Sequence, residues 1–236
     1  MDPLNEPKEG HIEPKPEWIP GIYNYCDRWC ERCAFTSRCR SFAMEFSIKE
    51  GSPVQINDQQ WDRQHPGNEE LEQSARTHEL AGEAWKYSQL TESWMKRNED
   101  MVTGKITELK NQVRLEAGAK RAQTESELIE DALQIIRWYE PQIWVKLMRA
   151  LTGRRRAHGQ ELIPKDSDGS AKVALIGMDR SLEAWEQLHF LFPDETNEFI
   201  TLLLELDRLR KKTEMEFPEA RSFKRIGFDE ELKQDI

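Results

Sequence analysis

A chain of 236 residues with 33% charged and 37% hydrophobic side chains can form one large domain, or one domain with appendages. That balance suits amphipathic helices with wide solvated faces better than a buried parallel sheet. The formal charge of −10 opposes binding to a phosphate backbone, and no stretch reaches the ~18 apolar residues of a membrane span.

In chain order, MDPLNEPKE has neither the basic start nor the apolar core of a secretory signal, so a cytoplasmic protein is expected. Residues 1–20 carry Pro3, Pro7, Pro14, Pro16 and Pro20 and read as an extended leader. Residues 21–52 hold all four cysteines and a short helix with apolar positions at Cys39, Phe42, Ala43 and Phe46, closed by Gly51 and Pro53. A polar loop with Asn57, Trp61, Pro66 and Gly67 leads to a helical region over 68–217.

Within it the spacing predicts a first helix near 69–100, with a stripe that includes Leu80, Ala84, Trp85, Tyr87, Trp94 and Met95. A weaker stretch, Ile106 to Ala119, is broken by Gly104 and Gly118. The strongest, Ser126 to Thr152, has Pro141 inside and Gly153 as its expected stop. Asp166 to Ser170 supplies caps for a helix over 170–191, and Pro193-Asp194 opens one over 194–216. Pro218 ends that helix. The tail, 218–236, is polar with Phe223, Ile226 and Phe228 as anchors. Strand signals are nearly absent. The expected fold is all-α: a bundle of four to five helices carrying an N-terminal cysteine-rich metal-binding segment.

That segment reads YCDRWCERCAFTSRC and places Cys26, Cys30, Cys33 and Cys39 in a C-x3-C-x2-C-x5-C pattern. A metal needs thiolates converging on one site, and short intervening loops keep the closure entropy low. Clustered cysteines in a reducing compartment more often hold metal than form disulfides. Structural zinc usually separates its two pairs of ligands by a dozen residues or more, whereas one tight run is closer to ferredoxin-type clusters. The spacing therefore favours a [4Fe-4S] cluster, with zinc as the alternative. C-x3-C-x2-C is also the spacing of radical S-adenosylmethionine enzymes, but their βα barrel needs strands that this sequence lacks. Arg28, Arg32, Arg38 and Arg40 are expected to offset thiolate charge and lower thiol pKa values, and Tyr25, Trp29 and Phe35 to shield sulfur from water.

Other signals are weaker. Glu186 and His189 form a single E-x-x-H, where di-iron bundles need two plus further glutamates, for which Glu83, Glu130 and Glu140 are the candidates. Lys146, Arg149, Arg154, Arg155 and Arg156 form a basic run best explained as cations at a helix C-terminus. Asp166-x-Asp168-Gly169 lacks the distal acid of a calcium loop, since Gly177 stands there. Nucleophile, P-loop and dinucleotide motifs are missing. Of the eight tryptophans, Trp85, Trp94, Trp138, Trp144 and Trp185 have the helical spacing of core residues. The expectation is an iron–sulfur protein of electron transfer or redox sensing with a protein partner. The alternative is a structural-zinc helical adaptor, and a third reading is a bundle metalloenzyme using Glu186 and His189.

Overall fold

The computed structural model describes residues 17–49, 69–114, 119–157 and 165–229, and every regular element among them is helical. The polar loop with Trp61 lies outside the described residues. Among the described residues there are seven α-helices rather than four to five: α1 (Arg40–Lys49), α2 (Glu69–Arg76), α3 (Glu79–Arg97), α4 (Glu99–Arg114), α5 (Ala119–Ala157), α6 (Lys165–Leu191) and α7 (Thr196–Glu216).

The extra elements have local causes. The helix expected over 69–100 is cut at His78, whose backbone is extended and whose ring Nδ1 accepts a hydrogen bond from the Leu80 amide, capping α3. At the other end Asn98 closes α3 on the Trp94 carbonyl, through its amide at 3.0 Å and its Nδ2 at 3.1 Å. Glu99 and Asp100 then open α4 with acidic charge at its positive end, and α4 runs straight through Gly104.

Helix α5, at 39 residues, is longer than expected because neither Pro141 nor Gly153 ends it. An interior proline costs about 3 kcal/mol. Against this, Ile136, Tyr139, Ile143 and Leu147 around the proline are all buried, at about 1.5–3 kcal/mol each. Burial wins. Helix α6 begins at Lys165, so Asp166, Ser167, Asp168 and Gly169 lie in its first turns rather than before it.

The core is built on the long antiparallel contact of α5 with α6. Helices α2, α3 and α4 pack against α5, and α7 closes on α6 and α3. Its centre is aromatic: the Trp94 ring meets Trp185 edge-on at 5.0 Å and Phe199 at 5.2 Å, and Trp185 Nε1 donates to the Tyr87 hydroxyl at 3.0 Å. Trp94 and Trp185 are core residues as expected, but Trp85 is 57% exposed, one position past the inward stripe of Leu80, Ala81, Ala84, Tyr87 and Ser88. Charged pairs register α3 on α7: Lys212 reaches Glu79 and Glu83, Lys86 reaches Glu205, and Arg97 reaches Glu198.

Trp29 belongs to the same buried cluster as the helices, so the cysteine segment shares their core. After α7, Phe217 and Ala220 are buried, and the chain turns back over that segment as far as Asp229.

Candidate metal centre

The cysteine segment is a chain of three short 3-10 turns, Ile22–Tyr25, Cys30–Arg32 and Thr36–Arg38, followed by α1. Each turn delivers a thiol at its exit: Cys26, Cys33 and Cys39 are the residues that close the three turns, and Cys30 opens the second. The ends are drawn together by the Ile19 amide donating to the Arg38 carbonyl at 3.1 Å. Arg28 sits at φ 61, the left-handed region, which costs a non-glycine residue about 1–2 kcal/mol.

This winding brings all four cysteines to the wall of one cavity, with Ile22, Trp29, Phe35, Phe42 and Phe228 supplying much of the remaining lining. The cavity is small, about 30 Å³ in volume. All four thiols are free and half-buried. Among the described residues, no group of three or more His, Cys, Asp or Glu side chains is gathered closely enough to hold a metal ion, the cysteines included. They surround a space without converging on a point.

The electrostatics differ from expectation. Cys30 and Cys33 are pushed above the ordinary thiol value, first by burial and then by neighbouring groups, among them the other cysteines. The arginines do not counter this because two of them are engaged elsewhere. Arg32 lies over the Trp29 ring at 4.1 Å and pairs with Asp131 at 2.6 Å, and Arg38 donates to the Glu17 carbonyl. Arg28 and Arg40 are exposed. One contact favours charged sulfur: the Phe35 amide points at Cys33 Sγ, 3.4 Å away.

The segment is clamped by side chains the sequence did not single out for this role. The Asp27 carboxylate receives the Tyr139 hydroxyl, Arg180 at 3.2 Å and the Trp29 amide at 3.2 Å. Its backbone carbonyl receives Trp138 Nε1 at 3.0 Å. Burial, then the bond to Asp27, pushes the Tyr139 phenol well above its ordinary range. Lys146, 7% exposed, donates to the Cys26 carbonyl at 2.8 Å, and its ammonium is held below the usual lysine value by burial. Arg149 reaches the Asn24 carbonyl and Asp166, and Arg154 reaches Glu216. Lys146 and Arg149 therefore do not serve the end of α5, which lies at Ala157. They hold the cysteine segment.

Two glycines permit the fit. A Cβ on Gly169 would stand 2.4 Å from the Tyr25 ring and 2.8 Å from Phe223. Tyr25 thus lies on bare backbone of α6, bonded to Asp166 at 2.9 Å and edge-on to Phe223 at 4.8 Å, its phenol pushed up to about 12 by burial and then by the Asp166 bond. Gly227, at φ 80, would meet Ile22 at 2.9 Å if it carried a Cβ. Two of the three anchors expected in the tail are seated here, Phe223 on Tyr25 and Phe228 on Phe35 at 5.2 Å, while Ile226 is 40% exposed. Of the expected aromatic shield, Trp29 and Phe35 line the cavity, while Tyr25 serves the docking.

The residues of the bundle-enzyme reading are engaged separately. Glu186 is exposed, and His189 packs on Phe199 at 5.8 Å. Glu83 pairs with Lys212, Glu130 with Lys110, and Glu140 accepts from Ser88.

No helix among the described residues is long and apolar enough to cross a membrane. No protein-family model, curated protein or solved structure matches the chain.

Proposed function

We propose that this chain is a cytoplasmic iron–sulfur protein in which Cys26, Cys30, Cys33 and Cys39 hold a [4Fe-4S] cluster used in electron transfer or redox sensing with a protein partner. The observation that carries the reading is four free, half-buried cysteines lining a single cavity. A zinc ion would draw all four sulfurs to about 2.3 Å from one point. A cluster bonds each thiolate to a different iron and so suits a quartet spread around a space. The cavity is narrow for free molecules, but a metal body bonds to sulfur and so reaches inside van der Waals walls.

A bound cluster would supply reversible one-electron chemistry. The chain's own residues do the rest. The Phe35 amide bonds to Cys33 sulfur, Trp29, Phe35 and Phe228 limit water, and the buried Lys146 places positive charge beside Cys26. The half-buried thiols and the exposed Arg28 keep the centre within reach of a partner or oxidant.

The test is a set of four single Cys→Ser variants purified without oxygen. A brown parent with broad visible absorption, bleached in every variant, supports the proposal. A colourless parent that carries zinc supports the helical adaptor instead.

A further inference from the structure

Beside the cysteine cavity lies a second cleft of about 260 Å³, just below the usual range of small-molecule pockets. Cys30 lines both spaces. The cleft's apolar walls are three aromatic side chains: Phe42 and Phe46 from α1, their rings stacked at 6.1 Å and 27°, and Trp138 from α5. Phe46 is 50% exposed. Three aromatic side chains lining one cleft offer polarisable apolar surface to whatever enters.

The polar members are Arg28, Glu31 and Glu45. Arg28 is exposed, and among the described residues its guanidinium has no ion-pair partner, unlike Arg32 and Arg180. Its left-handed backbone is of the kind that concentrates at ligand sites. A planar guanidinium matches phosphate or carboxylate, while the exposed Glu31 carboxylate suits a ring edge that donates N–H.

We infer that this cleft binds a planar conjugated molecule with an N–H-bearing ring and a terminal acid group, of the kind flavin mononucleotide represents. The ring stacks on Phe46 and Trp138, and the acid group pairs with Arg28. That the ring is redox-active rests on the cluster reading, because Cys30, with Arg28 and Phe42, lines both spaces. The stacking site itself does not depend on it.

The experiment titrates the full chain, purified without oxygen, with flavin mononucleotide and separately with riboflavin, following flavin fluorescence, with iron and sulfide measured on the same sample. Both ligands are expected to bind saturably. Phe46→Ala should weaken both about tenfold, by the scale of base stacking on aromatic side chains, and Phe46→Trp should restore them. Arg28→Gln should weaken flavin mononucleotide about tenfold and leave riboflavin unchanged. Phe46 and Arg28 lie outside the buried core, so both variants retain the fold. Absence of saturable binding, or unchanged flavin mononucleotide affinity in either variant, overturns the inference and leaves the cleft to an apolar side chain of a protein partner. Iron and sulfide without flavin binding overturn this inference alone. Flavin binding by a zinc-loaded chain overturns the cluster reading alone.

Discussion

The Trp29 ring stacks on the Trp138 ring at 5.3 Å and 21°, joining the middle of the cysteine loop to the middle of α5 across more than a hundred residues of sequence. Trp138 also donates its indole N–H to the Asp27 carbonyl, so one side chain holds the loop by face and by edge. An aromatic pair of this kind contributes about 0.5–1.5 kcal/mol beyond its buried area.

Trp138→Ala should therefore free the loop without unfolding the bundle, because Trp138 is only partly buried. On the proposed metal reading, a metal bound by the cysteines should be lost to a chelator markedly faster than from the parent, while far-ultraviolet circular dichroism stays the same. Equal rates of metal loss would show that the loop holds itself.

Gly169→Ala and Gly104→Ala should act in opposite directions. A Cβ at 104 meets nothing within 4 Å, so alanine there should stabilise by roughly 0.5–1 kcal/mol through helix propensity. At 169 the same methyl collides with the Tyr25 and Phe223 rings. That variant should lose thermal stability and show faster protease cleavage between residues 17 and 39. Parallel behaviour of the two variants would contradict the seating of Tyr25 on α6.

Replacing Cys30 and Cys33 together by serine should abolish metal binding and leave most helical signal in place. The buried cluster is supplied mainly by α2 to α7, with Trp29 its one member from residues 17–49. A fall of several degrees in Tm is expected, since a loosened loop surrenders the Trp29 packing. Complete unfolding would mean that the metal, not the helices, organises the core.

Glu140 tests the bundle away from the cysteine cavity. Burial raises its carboxyl above the ordinary value, the Ser88 bond opposes this, and nearby Glu92 adds to it. An acid with a raised folded-state pKa imposes no penalty below its unfolded pKa, and a growing one as pH climbs through the folded pKa. Glu140→Gln should thus stabilise at pH 7 and converge with the parent below about pH 4, the ordinary glutamate range. Urea unfolding at the two pH values measures it. A variant less stable at pH 7 would give the Ser88 contact the larger part.

The helical stripes were legible because burial on one face imposes a 3.6-residue period, as along Ile129, Leu133 and Ile136. Element boundaries were less so. His78 resembles an ordinary helix residue until its ring caps Leu80, and Pro141 signals a break that long-range packing overrides. The cysteines were conspicuous, but their clamp was not. Asp27 and Arg180 stand 153 positions apart, and nothing local marks them as partners. The basic run at 146–156 was visible, yet the role of Lys146, Arg149 and Arg154 depends on the distant backbone carbonyls of Cys26, Asn24 and Glu216 that they reach. Gly169 reads as turn chemistry in sequence. Only the Tyr25 ring above it shows why a side chain is excluded.

Iron and acid-labile sulfide counted per chain in anaerobically purified protein decide whether the four cysteines around the cavity hold an iron–sulfur cluster. About four of each are expected, as a [4Fe-4S] cluster requires. About one zinc per chain with neither iron nor sulfide would contradict it.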